Sequence, residues 1–105
     1  PWLDTFLGRP VHWRPRLPAR GVAAVVGWVL KGVSLRAREA ARAAGLPYVA
    51  IEDGFLRSVG LGDTDAALSL VVDDLGIYYD AGAPSRLEAL IAAPRSAAEQ
   101  ARAAA

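Results

Sequence analysis

Two short apolar runs, Gly21–Trp28 and Leu46–Ile51, flank a stretch with helix start and stop signals, and this spacing constrains the fold more than any other feature. The first run, Gly-Val-Ala-Ala-Val-Val-Gly-Trp, is rich in β-branched residues and shows no alternation, the pattern of a strand covered on both faces. Ser34 is placed to cap a helix over Leu35–Ala44, Gly45 is the natural left-handed terminator, and Pro47 blocks any extension. A strand, a helix and a second strand within about thirty residues predict a right-handed parallel crossover. The expected fold class is therefore α/β, built on a Rossmann-like parallel sheet.

The flanks read more simply. Residues 2–8 allow one or two helical turns, stopped by Gly8 and Pro10. Pro10, Pro15 and Pro18 forbid regular structure over residues 9–20, which also hold Arg9, Arg14, Arg16 and Arg20. This extended basic connector is either a contact for an anionic partner or a surface linker. After the second strand, Glu52–Ala67 is a loop with Gly54, Gly60 and Gly62. Leu68–Val72 is a third apolar run closed by Asp73-Asp74, and Ile77–Tyr79 is expected as a short strand. Ser85 with Glu88 forms a capping box, so a helix should run from Arg86 to about Ala93. Pro94 breaks it, and Ser96 with Glu99 opens another. The expected division is a helical turn and connector at 1–20, an α/β domain at 21–93, and the start of a further helix at 94–105. With no Met and a last helix lacking a stop signal, the chain is expected to be a piece of a longer polypeptide.

Composition excludes several classes of function. There is no Cys, so disulfide frameworks and thiolate metal sites are out, and His12 is the sole histidine. The net charge of +1 gives no case for nucleic-acid binding. No apolar run approaches the roughly 20 residues of a membrane span, and no leader pattern opens the chain. The expected location is cytoplasmic, with peripheral association at the inner membrane. Charge is nevertheless segregated. Residues 1–51 carry eight Lys/Arg against Asp4 and Glu39, whereas residues 52–80 carry seven acids against Arg57 alone.

Those acids hold the candidate chemistry, because ligands of open parallel sheets bind beyond the carboxyl ends of the strands. Glu52-Asp53-Gly54 follows the second strand. Adjacent carboxylates on extended chain point to opposite faces, unless Gly54 permits a sharp turn. A carboxylate at an apolar strand end is partly desolvated, which suits it to general acid or base work. Arg57 offers a planar fork for a carboxylate or phosphate, and Ser58 a hydroxyl. The alternative is an internal ion pair of Arg57 with Glu52 or Asp53. Asp73 and Asp74 at the end of a buried run are further candidates, with a tight turn into Ile77 as the alternative. Together with Asp63 they also suggest a Mg²⁺ site, and with it a phosphotransferase. Tyr78, Tyr79 and Asp80 are placed to line a sugar site, or to divide between core and rim.

The blocks Glu52-Asp-Gly-Phe-Leu-Arg-Ser-Val-Gly-Leu-Gly62, Leu68-Ser-Leu-Val-Val-Asp-Asp-Leu-Gly-Ile-Tyr-Tyr-Asp80 and Pro84-Ser-Arg-Leu-Glu88 closely resemble capsule polysaccharide biosynthesis/export proteins of the KpsC/LipB type, across about residues 21–93. The resemblance implies a retaining β-Kdo glycosyltransferase with CMP-Kdo as donor substrate, no cofactor and no metal, and a lipid-linked glycan as acceptor. It implies the N-terminal half of a GT-B-like fold, whose missing C-terminal domain carries the carboxylate nucleophile and most CMP contacts. Glu52 then matches the acid/base on the acceptor side, with Asp53 beside it. Gly54, Arg57, Ser58, Asp73 and Asp74 are implied as substrate-binding. After Gly27-Trp28 the family continues Gly-x-Arg/Lys-Pro-Ser, whereas here Val29-Leu30-Lys31-Gly32-Val33-Ser34 loses a glycine and the proline. That departure leaves a second expectation open: a truncated, non-catalytic module that binds glycan or an assembly partner.

Overall fold

The computed structural model describes residues 2–13, 16, 17, 20–28, 32–56, 59, 65 and 67–105. Its elements are α1 (Trp2–Leu7), β1 (Val25–Trp28), α2 (Gly32–Ala43), β2 (Tyr48–Asp53), β3 (Leu70–Asp73), α3 (Arg86–Ala92) and α4 (Ala97–Ala104). They form one three-stranded sheet in the order β1-β2-β3.

The crossover takes the expected form. β1 and β2 pair in parallel, from Val25 opposite Tyr48 to Trp28 opposite Ile51, and Gly45 adopts a positive φ of 66° where α2 ends. The start of α2 differs from expectation. The helix begins at Gly32, so Ser34 lies inside its first turn instead of capping it. Its hydroxyl donates to the Trp28 carbonyl at 2.7 Å and ties the helix to the end of β1. Ser34 and Ala41 are both buried and lie seven residues apart, on one stripe of α2.

The third strand departs from an all-parallel sheet. β3 runs antiparallel to β2, with Leu70 opposite Asp53 and Asp73 opposite Ala50. A parallel return needs a long crossover, usually helical. The glycine-bearing sequence between β2 and β3 offers no helical pattern for such a crossover, in keeping with the antiparallel pairing. The Gly54 N–H extends that ladder by donating to the Ser69 carbonyl at 2.8 Å. The run Ile77–Tyr79 is not a strand either. The Asp80 N–H donates to the Ile77 carbonyl at 2.9 Å, so residues 77–80 form a turn. Ile77 is 1% exposed and anchors it in the core.

Both capping boxes are present. The Ser85 and Ser96 hydroxyls accept from the N–H groups of Glu88 and Glu99, whose carboxylates return the bond to the cap N–H. These bonds hold the Glu88 and Glu99 carboxyls below the ordinary glutamate range. Among the described residues the buried apolar ones are Leu3, Ala41, Ala50, Ile51 and Ile77. Strand parity puts Val25, Gly27, Tyr48, Ala50, Glu52, Val71 and Asp73 on one face of the sheet. Trp28 belongs to the other face, where Trp2 of α1 meets it edge-on at 6.1 Å.

Tyr48 leans over Gly27 so closely that a Cβ there would overlap the phenol oxygen. The Tyr48 hydroxyl is buried and has no hydrogen-bond partner among the described residues. Burial pushes the phenol pKa up from its ordinary 10.0, while the nearby Ser34 hydroxyl and Arg38 guanidinium pull it back. Ser34 gives its proton to Trp28 and stands outside bonding geometry with the phenol. Removing a buried, unbonded hydroxyl relieves a desolvation cost, so Tyr48→Phe should raise the unfolding free energy by about 1 kcal/mol at neutral pH. Above pH 10.0 the unfolded phenol ionises while the folded one resists, so the wild-type chain loses stability as pH rises through the raised folded value. Urea denaturation at neutral and alkaline pH should show the gap between variant and wild type widening.

Candidate functional site

β2 is flanked by a strand on each side, and its last residues carry the candidate chemistry on a rigid base. Glu52 and Asp53 point to opposite faces, as extended chain requires. The Glu52 carboxylate is half-buried and held by two donors. One oxygen accepts from the Asp53 N–H at 3.0 Å, and the other accepts from the Tyr79 hydroxyl at 3.3 Å. Gly54 does not make the sharp turn that would bring both acids to one side. It lies against Ser69, where an added Cβ would come within 2.7 Å of the Ser69 Cβ and 2.8 Å of its carbonyl carbon. The Ser69 hydroxyl donates to the Leu56 carbonyl at 2.9 Å and bends the chain beyond β2.

That bend and the turn at 77–80 bring three aromatic rings together, of which Tyr79 reaches Glu52 through its hydroxyl. Phe55 and Tyr78 have centroids 5.6 Å apart, tilted by 45°. Tyr78 and Tyr79 meet edge to face at 5.1 Å. Both geometries are favourable for aromatic pairs.

The antiparallel course of β3 changes the place of Asp73 and Asp74. They were expected on a rim shared with Glu52, where neighbouring parallel strands end. Instead Asp73 lies beside Ala50, two residues back along β2, or about 7 Å from the Glu52 position. Asp73 is 1% exposed. One of its oxygens accepts from the Leu75 and Gly76 N–H groups, each at 2.9 Å, and the other accepts from the Arg86 N–H at 2.8 Å. Asp74 is exposed and forks with the Arg86 guanidinium at 2.8 and 2.7 Å, which lowers its pKa. Both side chains are thus engaged in joining β3 to α3, and neither is disposed to coordinate Mg²⁺. Among the described residues, no three His, Asp or Glu side chains converge as metal ligands. Arg57, Ser58, Lys31 and Asp63 lie outside the described residues.

Asp73 and Asp74 line a different feature, a cleft of about 80 Å³ on the α2 side of the sheet, together with Arg38, Tyr48, Ala50 and Asp80. Arg38 and Tyr48 are additions that the sequence reading did not single out. The signal was available: Tyr48 has the strand parity of Glu52, and Arg38 lies one helical turn beyond Ser34.

An α/β crossover presenting a carboxylate at a strand's carboxyl end, bonded to one of a series of exposed aromatic residues, has the placement of a ligand site. Residues 23–105 match the family described as "Capsule polysaccharide biosynthesis protein", and the chain belongs to that family. It is 53% identical over 75 residues to the capsule polysaccharide modification protein LipA of Neisseria meningitidis serogroup A, covering 70% of this chain and 11% of that protein. It is 57% identical over 47 residues to the lipopolysaccharide-processing protein LpsZ of Rhizobium meliloti, covering 44% and 11%. Among solved structures, Thermosulfurimonas dismutans KpsC, a beta Kdo 2,4 transferase, superposes with a TM-score of 0.82 at 46% identity, covering 97% of this chain and 33% of that one. The chain thus spans about a tenth of these curated relatives and a third of the solved neighbour. The KpsC/LipB-type resemblance read from the motif blocks is confirmed.

The two aspartates separate cleanly by experiment. Asp73→Ala strands three backbone N–H groups in a buried place and should cost about 3 kcal/mol or more. Asp74→Ala, at an exposed ion pair, should melt close to wild type. Thermal unfolding followed by circular dichroism checks both.

Proposed function

We propose that this chain forms the acceptor-side part of a GT-B-like, retaining β-Kdo transferase that moves Kdo from CMP-Kdo onto a lipid-linked glycan during capsule polysaccharide synthesis. The observation that carries the reading is the Glu52 carboxylate, fixed by two donors at the carboxyl end of β2 with one edge in reach of solvent. Membership of the capsule family and the likeness to a Kdo transferase structure support the substrate class.

In this reading Glu52 is the general acid/base. As an acceptor hydroxyl oxygen bonds to the anomeric carbon of Kdo, its proton passes to Glu52, and the bond from that carbon to an enzyme carboxylate breaks. The nucleophile and most CMP contacts belong to the polypeptide outside these 105 residues. Arg57 is assigned to the carboxylate of the sugar, Ser58 and Gly54 to further substrate contacts, and Asp53, on the face of β2 opposite Glu52, to a supporting catalytic role. Asp73 and Asp74 serve by fixing the turn that carries Tyr78 and Tyr79. CMP-Kdo acts as substrate, and no resident cofactor or metal takes part.

The partner domain closes over this half, and the protein works in the cytoplasm at the inner-membrane surface. Arg9, Arg16 and Arg20, exposed in the same connector as Trp13, which is 67% exposed, suit an anionic surface. The second reading, a non-catalytic glycan-binding module, draws on the glycine and proline lost after Trp28.

In the intact polypeptide, Glu52→Gln should lower transfer from CMP-Kdo by roughly 10²–10⁴-fold with circular dichroism and melting unchanged. Unaltered turnover would remove Glu52 from the assigned role.

A further inference from the structure

Phe55, Tyr78 and Tyr79 are large rings that the fold brings together and leaves uncovered. Phe55 is 77% exposed, Tyr79 46% and Tyr78 39%. They come from two segments more than twenty residues apart, and neither is held there by core packing of these rings. Ile77 is the residue that enters the core, and the turn from Ile77 to Asp80 presents the next two side chains outward. The rings form a connected series, with Tyr78 contacting Phe55 on one side and Tyr79 on the other. At its Tyr79 end the series meets the Glu52 carboxylate through a hydroxyl.

Such a surface has two kinds of chemistry side by side. Exposed ring faces accept an apolar C–H surface, while the phenol hydroxyls and the carboxylate accept or donate hydrogen bonds at the edge. A pyranose matches both, since its ring has an apolar C–H face and a hydroxyl-bearing rim. A wholly apolar ligand would further desolvate the half-buried carboxylate without offering it a donor, and a compact anion would gain nothing from the rings.

We infer that Phe55, Tyr78 and Tyr79 are the stacking platform for the terminal pyranose of the acceptor saccharide, and that Tyr79 is a positioning residue for Glu52. The inference rests on the transferase reading of Glu52 and adds to it how the acceptor is held. Tyr78 and Phe55 carry the sugar ring, and their contribution is to binding. The Tyr79 hydroxyl fixes one Glu52 oxygen so that the carboxylate faces the acceptor hydroxyl, and its contribution is to the rate.

The two roles give different signatures. A β-linked Kdo disaccharide is titrated into the chain and followed by NMR. Wild type should saturate, with shifts at the Phe55, Tyr78 and Tyr79 rings. Tyr78→Ala should raise Kd roughly three- to tenfold, and Tyr78→Trp should keep wild-type affinity, since the larger ring preserves stacking. In the intact polypeptide, Tyr78→Ala should raise the acceptor KM with kcat nearly unchanged, and Tyr79→Phe should lower kcat and leave KM in place. Equal affinity of wild type and Tyr78→Ala overturns the platform, as does the absence of saturable binding at millimolar disaccharide. An unaltered kcat in Tyr79→Phe overturns the positioning role. Should Glu52→Gln keep full transfer while Tyr78→Ala loses disaccharide affinity, the platform stands and the acid/base assignment alone fails.

Discussion

The Asp73 carboxylate accepts N–H groups from Leu75, Gly76 and Arg86 in a place that solvent scarcely reaches. Each of those donors would otherwise be an unpaired polar group at a strand end or a helix start. A single side chain therefore joins the end of β3, the reversal after it and the first turn of α3. Ser85, wholly buried, completes the junction by capping the same helix. Ile77 is the buried apolar residue of the second half among the described residues, and this polar junction fixes the elements around it.

The candidate site inherits its geometry from that junction. Glu52 comes from a strand flanked on both sides, and its position is set by the sheet. Tyr78 and Tyr79 come from a turn whose footing is Ile77, three residues after the Asp73–Asp74 pair, and Phe55 comes from the bend beyond β2. The carboxylate and the rings thus arrive from two independently fixed elements, which is how a site reaches a defined shape without a helix behind it.

Local patterns were legible in the sequence wherever the determining atoms lie close along the chain. The Gly45 terminator and both capping boxes follow from residues within a few positions of one another, and the crossover from β1 to β2 from the order of such local signals over about thirty residues. The direction of β3 was not legible from its residues, because Leu-Val-Val-Asp reads alike in either orientation. Only the lack of a helical crossover before it distinguishes the two, and a glycine-bearing loop is a weak statement of that lack. The expectation for Ile77–Tyr79 failed for a related reason: β-prone side chains cannot make a strand without a partner strand. Ser34 has the residue type of a cap, but its hydroxyl is used in closing the crossover. The pairing of Glu52 and Asp53 to opposite faces was fixed by strand periodicity alone. The contact of Tyr79 with Glu52 spans 27 positions and depends on the turn geometry, which no short motif encodes.

The crowding between Tyr48 and Gly27 has an evolutionary consequence. The two positions lie on adjacent parallel strands and share one volume, so their tolerated residues are not independent. A methyl group at 27 becomes admissible once the phenol at 48 has been exchanged for something shorter, and the reverse order passes through an overpacked intermediate. Sequence drift in this half of the domain is thereby channelled: side-chain bulk can migrate from the second strand to the first only along one ordered route.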